Sequence, residues 1–165
     1  MSTQFSVRLA KEHHVFSAAH FITFNTDVCE RLHGHNYRVQ VEVLGPLDEN
    51  QYVVDFIALR DELKTITDTL DHRMLLPTGH PLIRVTASKT EVEVAFTPDG
   101  RRWVFPLGDC VILPIPNTTA ELLADYIGRQ LLAAVEVRTG TRPARLRVEV
   151  DENHGQWGVC ELSHE

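Results

Sequence analysis

From His33 to Val43 the chain alternates with a period of two. His33, His35, Tyr37, Val39, Val41 and Val43 share one side of an extended segment, and Arg38, Gln40 and Glu42 take the other. That pattern is satisfied by a half-buried strand with one face on a core and one toward water. Gly45-Pro46 ends it. The alternation also carries both histidines to the buried side, and neutral imidazole is a preferred zinc ligand. Gly34 between them lets a backbone or ligand approach closely. With Cys29 ahead of them, Cys29-Glu30-Arg31-Leu32-His33-Gly34-His35 puts a thiol beside two imidazoles. Taken alone, the heptad is either a metal site with an adjacent nucleophile or base, or a strand that merely begins with two histidines.

The rest of the chain supplies partners for this strand. Phe5, Val7 and Leu9 alternate with Ser6, Arg8 and Ala10, which predicts an opening strand continuing unevenly toward Val15-Phe16, with a loop around Asn25 to Asp27. Tyr52-Val53-Val54 reads as a further strand, an antiparallel neighbour of the His33 strand. Asp55 is a good N-cap, and Phe56, Leu59, Leu63, Ile66 and Leu70 recur at helical spacing, so a helix is expected over 56–70, delivering Asp71-His72 at its end. Thr90 to Pro106 reads as a hairpin turning at Pro98-Asp99-Gly100. A second helix is expected with Thr118 as N-cap and Glu121 completing a capping box, with Leu123, Ile127, Leu131 and Ala134 as its apolar stripe and its end near Gly140. Leu146–Val150 and Trp157–Cys160 close the chain as strands joined at Asn153-His154-Gly155. This order predicts an α+β fold, with two helices packed on one face of an antiparallel sheet.

At 165 residues the chain fits a single domain, 1–165, with its own core. No apolar run approaches the length that spans a bilayer, and the first residues lack the basic and apolar regions of a secretory signal, so a soluble cytoplasmic protein with no membrane partner is expected. Cys29, Cys110 and Cys160 form no C-x-x-C pair and are expected to be reduced. A net charge of -7 argues against a nucleic-acid surface, though not against a small anionic substrate.

Phe16-Ser-Ala-Ala-His20, Cys29-x-x-x-His33-Gly-His35, Leu70-Asp-His72, Asn117-Thr-Thr-Ala-Glu121 and Val150-Asp-Glu152 occur here in an order that resembles the 6-pyruvoyltetrahydropterin synthase / 6-carboxytetrahydropterin synthase family. The resemblance covers nearly the whole chain apart from roughly residues 76–113. It implies the tunnelling fold, in which antiparallel strands of several subunits close into a barrel, and a homohexamer built from two trimers with active sites between subunits. It further implies that His20, His33 and His35 bind Zn2+, that Cys29 is the catalytic base, that Asp71 and His72 form a linked pair activating it, and that Glu152 grips the pterin ring. Thr118, Thr119 and Glu121 would lie near the pterin. The substrate implied is a pterin triphosphate.

The residues themselves leave several of these readings open. Glu152 is in phase with Leu146, Val148 and Val150, so a continuing strand turns its carboxylate inward, where it needs a partner such as adjacent pterin N–H groups. A strand ending at Val150 would leave it in a solvated turn. Asp71-His72 fits a helix C-terminus as well as an activating pair, and Cys29 fits a small packed apolar residue as well as a base.

Within the family, the three-residue gap between Cys29 and His33 resembles the 6-carboxytetrahydropterin synthases of 7-deazaguanine and queuosine biosynthesis, which release acetaldehyde and triphosphate from 7,8-dihydroneopterin triphosphate. The pyruvoyl branch, which eliminates triphosphate in a tetrahydrobiopterin-type pathway, is the alternative. A third branch uses a glutamate in place of the cysteine, and Glu30 adjoins Cys29. A zinc-dependent pterin-binding protein without turnover is the reading of a different class. The insert between Leu76 and Pro116 departs from compact bacterial members, and the sequence leaves open whether Arg73, Arg84, Arg101 or Arg102 meets the triphosphate.

Overall fold

The computed structural model describes residues 3–25 and 27–163, so Thr26, in the loop expected around Asn25 to Asp27, lies outside the described residues. The first strands are β1 (Phe5–Leu9), β2 (Val15–His20), β3 (Thr23–Phe24), β4 (Val28–Cys29) and β5 (His33–Gly45). Helix α1 (Phe56–Leu70) follows, then β6 (Arg73–Pro77), β7 (Ile83–Ala87), β8 (Glu91–Phe96), β9 (Arg101–Pro106) and β10 (Cys110–Leu113). Helix α2 (Ala120–Thr139) precedes β11 (Arg145–Asn153) and β12 (Gln156–Ser163).

Seven strands form the main sheet, in the order β10-β6-β2-β5-β11-β12, with β1 also paired to β5. The long β5 holds β2 along its first half and β1 along its second, so the opening strand expected to run on toward Phe16 is two strands, broken at 10–14. On its other edge β5 pairs with β11. The sheet is mixed rather than wholly antiparallel: β6 runs parallel to both β2 and β10. Neither parallel pair joins strands consecutive through a hairpin: β5 and α1 lie between β2 and β6 in the chain, and the insert lies between β6 and β10.

One face of the sheet and both helices share a core of Phe16, Tyr37, Val39, Val41, Val43, Leu59, Leu63, Leu123, Ile127, Leu131, Leu146, Val148 and Val150. The opposite face of β5 and β11 carries charge, with Arg8 bonded to Gln40 and Arg147 to Glu149 and Glu161. Gly158 of β12 lets the start of α2 pack on the sheet, since a Cβ there would stand 2.4 Å from the carbonyl carbon of Ala120.

Asp55 caps α1 as expected, accepting from the amides of Ile57 (2.7 Å) and Ala58 (3.3 Å). Gly140 ends α2 in the left-handed conformation that favours glycine. Two local expectations fail. Tyr52-Val53-Val54 is not a strand, because the Asp48 carboxylate draws the amides of Asn50 and Tyr52 into a turn that ends at the Asp55 cap. Thr118 is not the N-cap of α2 and no capping box forms with Glu121; Thr119 takes that position without a side-chain bond. The Thr118 hydroxyl is committed elsewhere, donating to the Phe21 carbonyl (2.9 Å).

The hairpin expected within the insert is β8–β9, and it gains a third strand, β7. These strands build a second core with Phe21, Cys29, Met74, Leu76, Val92, Val94 and Phe96. The insert leaves the main sheet at β6 and returns at its neighbour β10, so it is anchored at both ends on adjacent strands.

His14 is fully buried with neither ring nitrogen partnered, and its ring centroid lies 4.4 Å from that of His13. Burial, with His13, Lys11 and Lys64 adding to it, lowers its pKa from 6.5 to about 4. The unfolded chain therefore takes up the proton first. The stability that neutral His14 preserves is complete above pH 6.5 and is lost as pH falls toward about 4, by up to about 3 kcal/mol. His14→Leu is expected to flatten this part of the acid-unfolding profile, as measured by urea denaturation across that pH range.

Candidate active site

Strand β2 ends on His20 and β5 begins on His33, and these two residues are direct cross-strand partners. Two residues along β5, His35 faces the same side. Gly34 permits the approach, since a Cβ there would lie 3.0 Å from the Ala18 carbonyl oxygen. The three rings converge, with centroid separations of 4.7 Å for His20–His33, 4.8 Å for His33–His35 and 5.2 Å for His20–His35. Glu152 joins them. Strand β11 continues past Val150 to Asn153, so the carboxylate turns inward rather than into a solvated turn. Its Oε1 stands 3.2 Å from Nε2 of both His20 and His35.

One ligand atom from each of His20, His33, His35 and Glu152 lies within 4.8 Å of the others. The geometry around these rings suits a divalent cation. Nε2 of His20 and of His35 are buried without a well-directed hydrogen bond. Nδ1 of His20 is 2.9 Å from the Thr118 carbonyl, and Nδ1 of His33 is 2.9 Å from the Arg31 carbonyl. Each carbonyl fixes a protonated Nδ1 and leaves Nε2 as the lone-pair donor, the usual arrangement behind a metal-binding histidine. Burial lowers the His35 pKa, and His20 beside Glu152 holds that carboxyl below its ordinary value. A neutral imidazole set with one carboxylate is a donor set zinc accepts.

Behind the cluster, Asn117 bonds Thr23 in both directions, its Nδ2 donating to the carbonyl (2.9 Å) and its Oδ1 accepting from the amide (3.2 Å). With the Thr118–Phe21 bond, this ties the entry of α2 to the segment following His20. Thr118 thus supports His20 through its carbonyl, a role no side-chain pattern signals. Thr119 and Glu121 lie at the start of α2.

Cys29 sits apart from the imidazole cluster in the second core, 5% exposed. Burial pushes its thiol up, and the Arg101 guanidinium opposes that rise. Asp71 and His72 are in contact, His72 Nδ1 lying 2.8 Å from Asp71 Oδ2. The Ser17 amide, donating to Asp71 at 2.7 Å, holds that carboxyl below its ordinary range. Yet the His72 side chain is 82% exposed, and among the described residues no hydrogen bond or ion pair joins the pair to Cys29 within the chain.

Of the arginines considered for a triphosphate, Arg73 donates to the Gly108 carbonyl, Arg102 lies 3.8 Å from Glu93, and Arg101 reaches the Cys29 segment. Sequence patterns also gave no sign of the ion pair between Arg38 and the buried Asp151, which fixes β11 just before Glu152.

A mixed sheet carrying two helices on one face, with a histidine–carboxylate cluster at the junction of β2, β5 and β11, defines a tunnelling-fold protein. Solved structures agree. The chain superposes on 6-pyruvoyltetrahydropterin synthase from Plasmodium falciparum with a TM-score of 0.89 and 28% identity, covering 99% of this chain and 100% of that one. It superposes equally fully on the Plasmodium vivax enzyme, at TM-score 0.88 and 25% identity, in a variant whose catalytic glutamate is replaced by alanine. A putative 6-carboxy-5,6,7,8-tetrahydropterin synthase of Methanocaldococcus jannaschii is 32% identical over 146 residues, 88% of this chain and 87% of the relative. The family model for 6-pyruvoyl tetrahydropterin synthase matches residues 8–163, and the chain belongs to that family.

If three imidazoles hold the ion, His20→Ala is expected to abolish zinc retention at micromolar metal. Glu152→Gln is expected to keep it, with affinity reduced by no more than about 100-fold. Elemental analysis after dialysis measures both, and an empty Glu152→Gln site would make the carboxylate a fourth ligand.

Proposed function

We propose that this chain is a zinc-dependent 6-carboxy-5,6,7,8-tetrahydropterin synthase, converting 7,8-dihydroneopterin triphosphate to 6-carboxytetrahydropterin, acetaldehyde and triphosphate on the route to 7-deazaguanine compounds such as queuosine. The reading rests above all on the convergence of His20, His33, His35 and Glu152, with a thiol four positions before the first histidine of β5. The names of the relatives support it. Besides the archaeal protein, a Bacillus subtilis 6-carboxy-5,6,7,8-tetrahydropterin synthase is 38% identical over 73 residues, 43% of this chain and 47% of the relative.

A zinc ion held by His20, His33 and His35 would supply Lewis acidity to the substrate's side-chain hydroxyls. Cys29 moves protons on the adjacent carbons, and the Asp71–His72 pair sets its protonation, the carboxylate fixing the imidazole's orientation. Glu152 accepts adjacent pterin N–H groups as a bidentate pair, orienting the ring. Thr119 and Glu121 border that ring at the N-terminus of α2, and Thr118 steadies His20.

The exposed position of Asp71–His72 favours an assembly in which one copy's pair serves another copy's Cys29. The main sheet is open at β10 and β12, so its edges are free to pair with further copies. A homohexamer of two trimers fits both features. All three cysteines are unpaired, in keeping with a reducing compartment such as the cytoplasm.

Glu30 favours a second reading. Its carboxylate lies 3.8 Å from His33 Nδ1, and the Plasmodium vivax relative carries a glutamate as catalytic residue. In that reading Glu30 is the base, and the side chain of a dihydroneopterin compound is cleaved without release of acetaldehyde.

One incubation separates the readings. With zinc and 7,8-dihydroneopterin triphosphate, release of acetaldehyde and 6-carboxytetrahydropterin is expected, and Cys29→Ala is expected to lower kcat by at least about 100-fold with zinc content retained. A pyruvoyl product without acetaldehyde selects triphosphate elimination. A shortened pterin that survives Cys29→Ala but not Glu30→Gln selects the Glu30 reaction, and no pterin consumption at all selects a binding protein.

A further inference from the structure

Arg101 opens β9, just past the turn of the inserted hairpin, and reaches back across about 70 residues of sequence to the Cys29 segment. Its Nη2 donates to the Cys29 carbonyl at 2.7 Å and its Nη1 to the Glu30 carbonyl at 3.3 Å. Its Nε lies 2.5 Å from Asp99 Oδ2, and Asp99 Oδ1 accepts from the Arg101 amide at 3.0 Å. The guanidinium carbon sits 5.5 Å from the Phe96 ring centroid and 5.8 Å from that of Trp103. Trp103 in turn stacks on Phe21 at 4.8 Å, and Phe21 directly follows His20. The fork is held on three sides by the insert itself, and its remaining donors point at the backbone that carries the thiol.

We propose that Arg101 is a positioning residue, through which the insert clamps Cys29 in place for proton transfer. The proposal rests on the reading of Cys29 as the proton-transfer group. The physical reason is the weakness of what otherwise holds that segment. Strands β3 and β4 are two residues each and form a sheet of their own, closed by the Glu30 amide donating to the Ile22 carbonyl (2.9 Å), and its polar ties to the surroundings are on the β3 side, at Thr23, through the Asn117 bonds and the contact of the Thr23 hydroxyl with His80 Nε2 (2.8 Å). So short a hairpin is not stable by itself. A charged fork donating to two successive carbonyls is a stronger tether than neutral hydrogen bonds, and two of its contacts must break before Cys29 can move. The guanidinium also places positive charge near a buried thiol, which favours thiolate.

Arg101→Met keeps an apolar stem on Phe96 and Trp103 but has no donors, Arg101→Lys keeps charge and one donor group, and Arg101→Ala removes both. In Arg101→Met and Arg101→Ala, kcat is expected to fall on the order of ten- to 100-fold with KM within about twofold and zinc content unchanged, and Arg101→Lys is expected to recover most of the loss. Amide hydrogen exchange in a peptide spanning Val28–Arg31 is expected to quicken by about tenfold or more in the Met and Ala variants while that of α1 stays as in the wild type.

Full activity in Arg101→Met would overturn the proposal in favour of packing alone. A raised KM with kcat unchanged would overturn it in favour of triphosphate binding. Exchange at Val28–Arg31 that does not change would overturn it whatever the turnover. If the wild type consumes no pterin, the reading of the reaction fails, and the clamp stands or falls on the exchange measurement.

Discussion

The structure depends on the register between β2 and β5. His20 faces His33 and Ala18 faces His35 across that pair, and the same register stacks Phe16 on Tyr37 with ring centroids 4.8 Å apart. Side chains alternate with a period of two, so a slip of one residue would turn both β5 histidines to the outer face and drive Asn36 and Arg38 into the core. The core therefore fixes the site: burial of Tyr37, Val39, Val41 and Val43 makes one alignment far better than its neighbours, and that alignment places the imidazoles together. The close contact between Gly34 and Ala18 lets the strand ends approach where the rings converge.

This arrangement is costly unless something fills it. Nε2 of His20 and His35 and the Tyr37 hydroxyl are buried without directed partners, whereas most buried polar atoms in folded proteins are paired. His14 is an instructive contrast. It belongs to no cluster of ligand atoms among the described residues and lowers stability in acid, while the Nε2 atoms of His20 and His35 lie against the same carboxylate oxygen. Convergence of such nitrogens on one point, with carbonyls holding the far nitrogens of His20 and His33, distinguishes a binding site from a packing compromise.

What could be read from the sequence followed local periodicity. The β5 alternation, the Asp55 cap, both helices, the Gly140 stop and the last hairpin depend on residues close in sequence, and each is present. Glu152 was legible in phase but not in fate, since whether β11 continues past Val150 depends on the distant Arg38 meeting Asp151. Thr118 matched a local capping motif that lost to a tertiary bond with Phe21, the commoner outcome when a buried hydroxyl has a stronger partner nearby. The Val53-Val54 pair looked like a strand because apolar content is visible in sequence, whereas the Asp48 turn that bends it is set by side-chain geometry. Strands β6 and β10 were missed because they flank an insert, and only their mutual pairing shows why the chain returns where it left.

The placement of the thiol explains why the insert matters. The metal-type ligands belong to the sheet's inner face and are fixed by the main core, but Cys29 belongs to the second core, with Met74, Leu76 and the insert's Val92, Val94 and Phe96. The two layers meet at His20-Phe21, where consecutive residues face opposite cores, and at Thr118, which bonds to both. Burial in the second core disfavours the thiolate that a base requires, so the same packing that positions Cys29 works against the role proposed for it. A guanidinium supplied by the insert resolves part of that conflict, adding a tether and a positive charge without adding bulk beside the imidazoles. Because the insert touches the thiol's layer and leaves the ligand layer to the main sheet, changes within it would retune the proposed base while the three histidines keep their geometry.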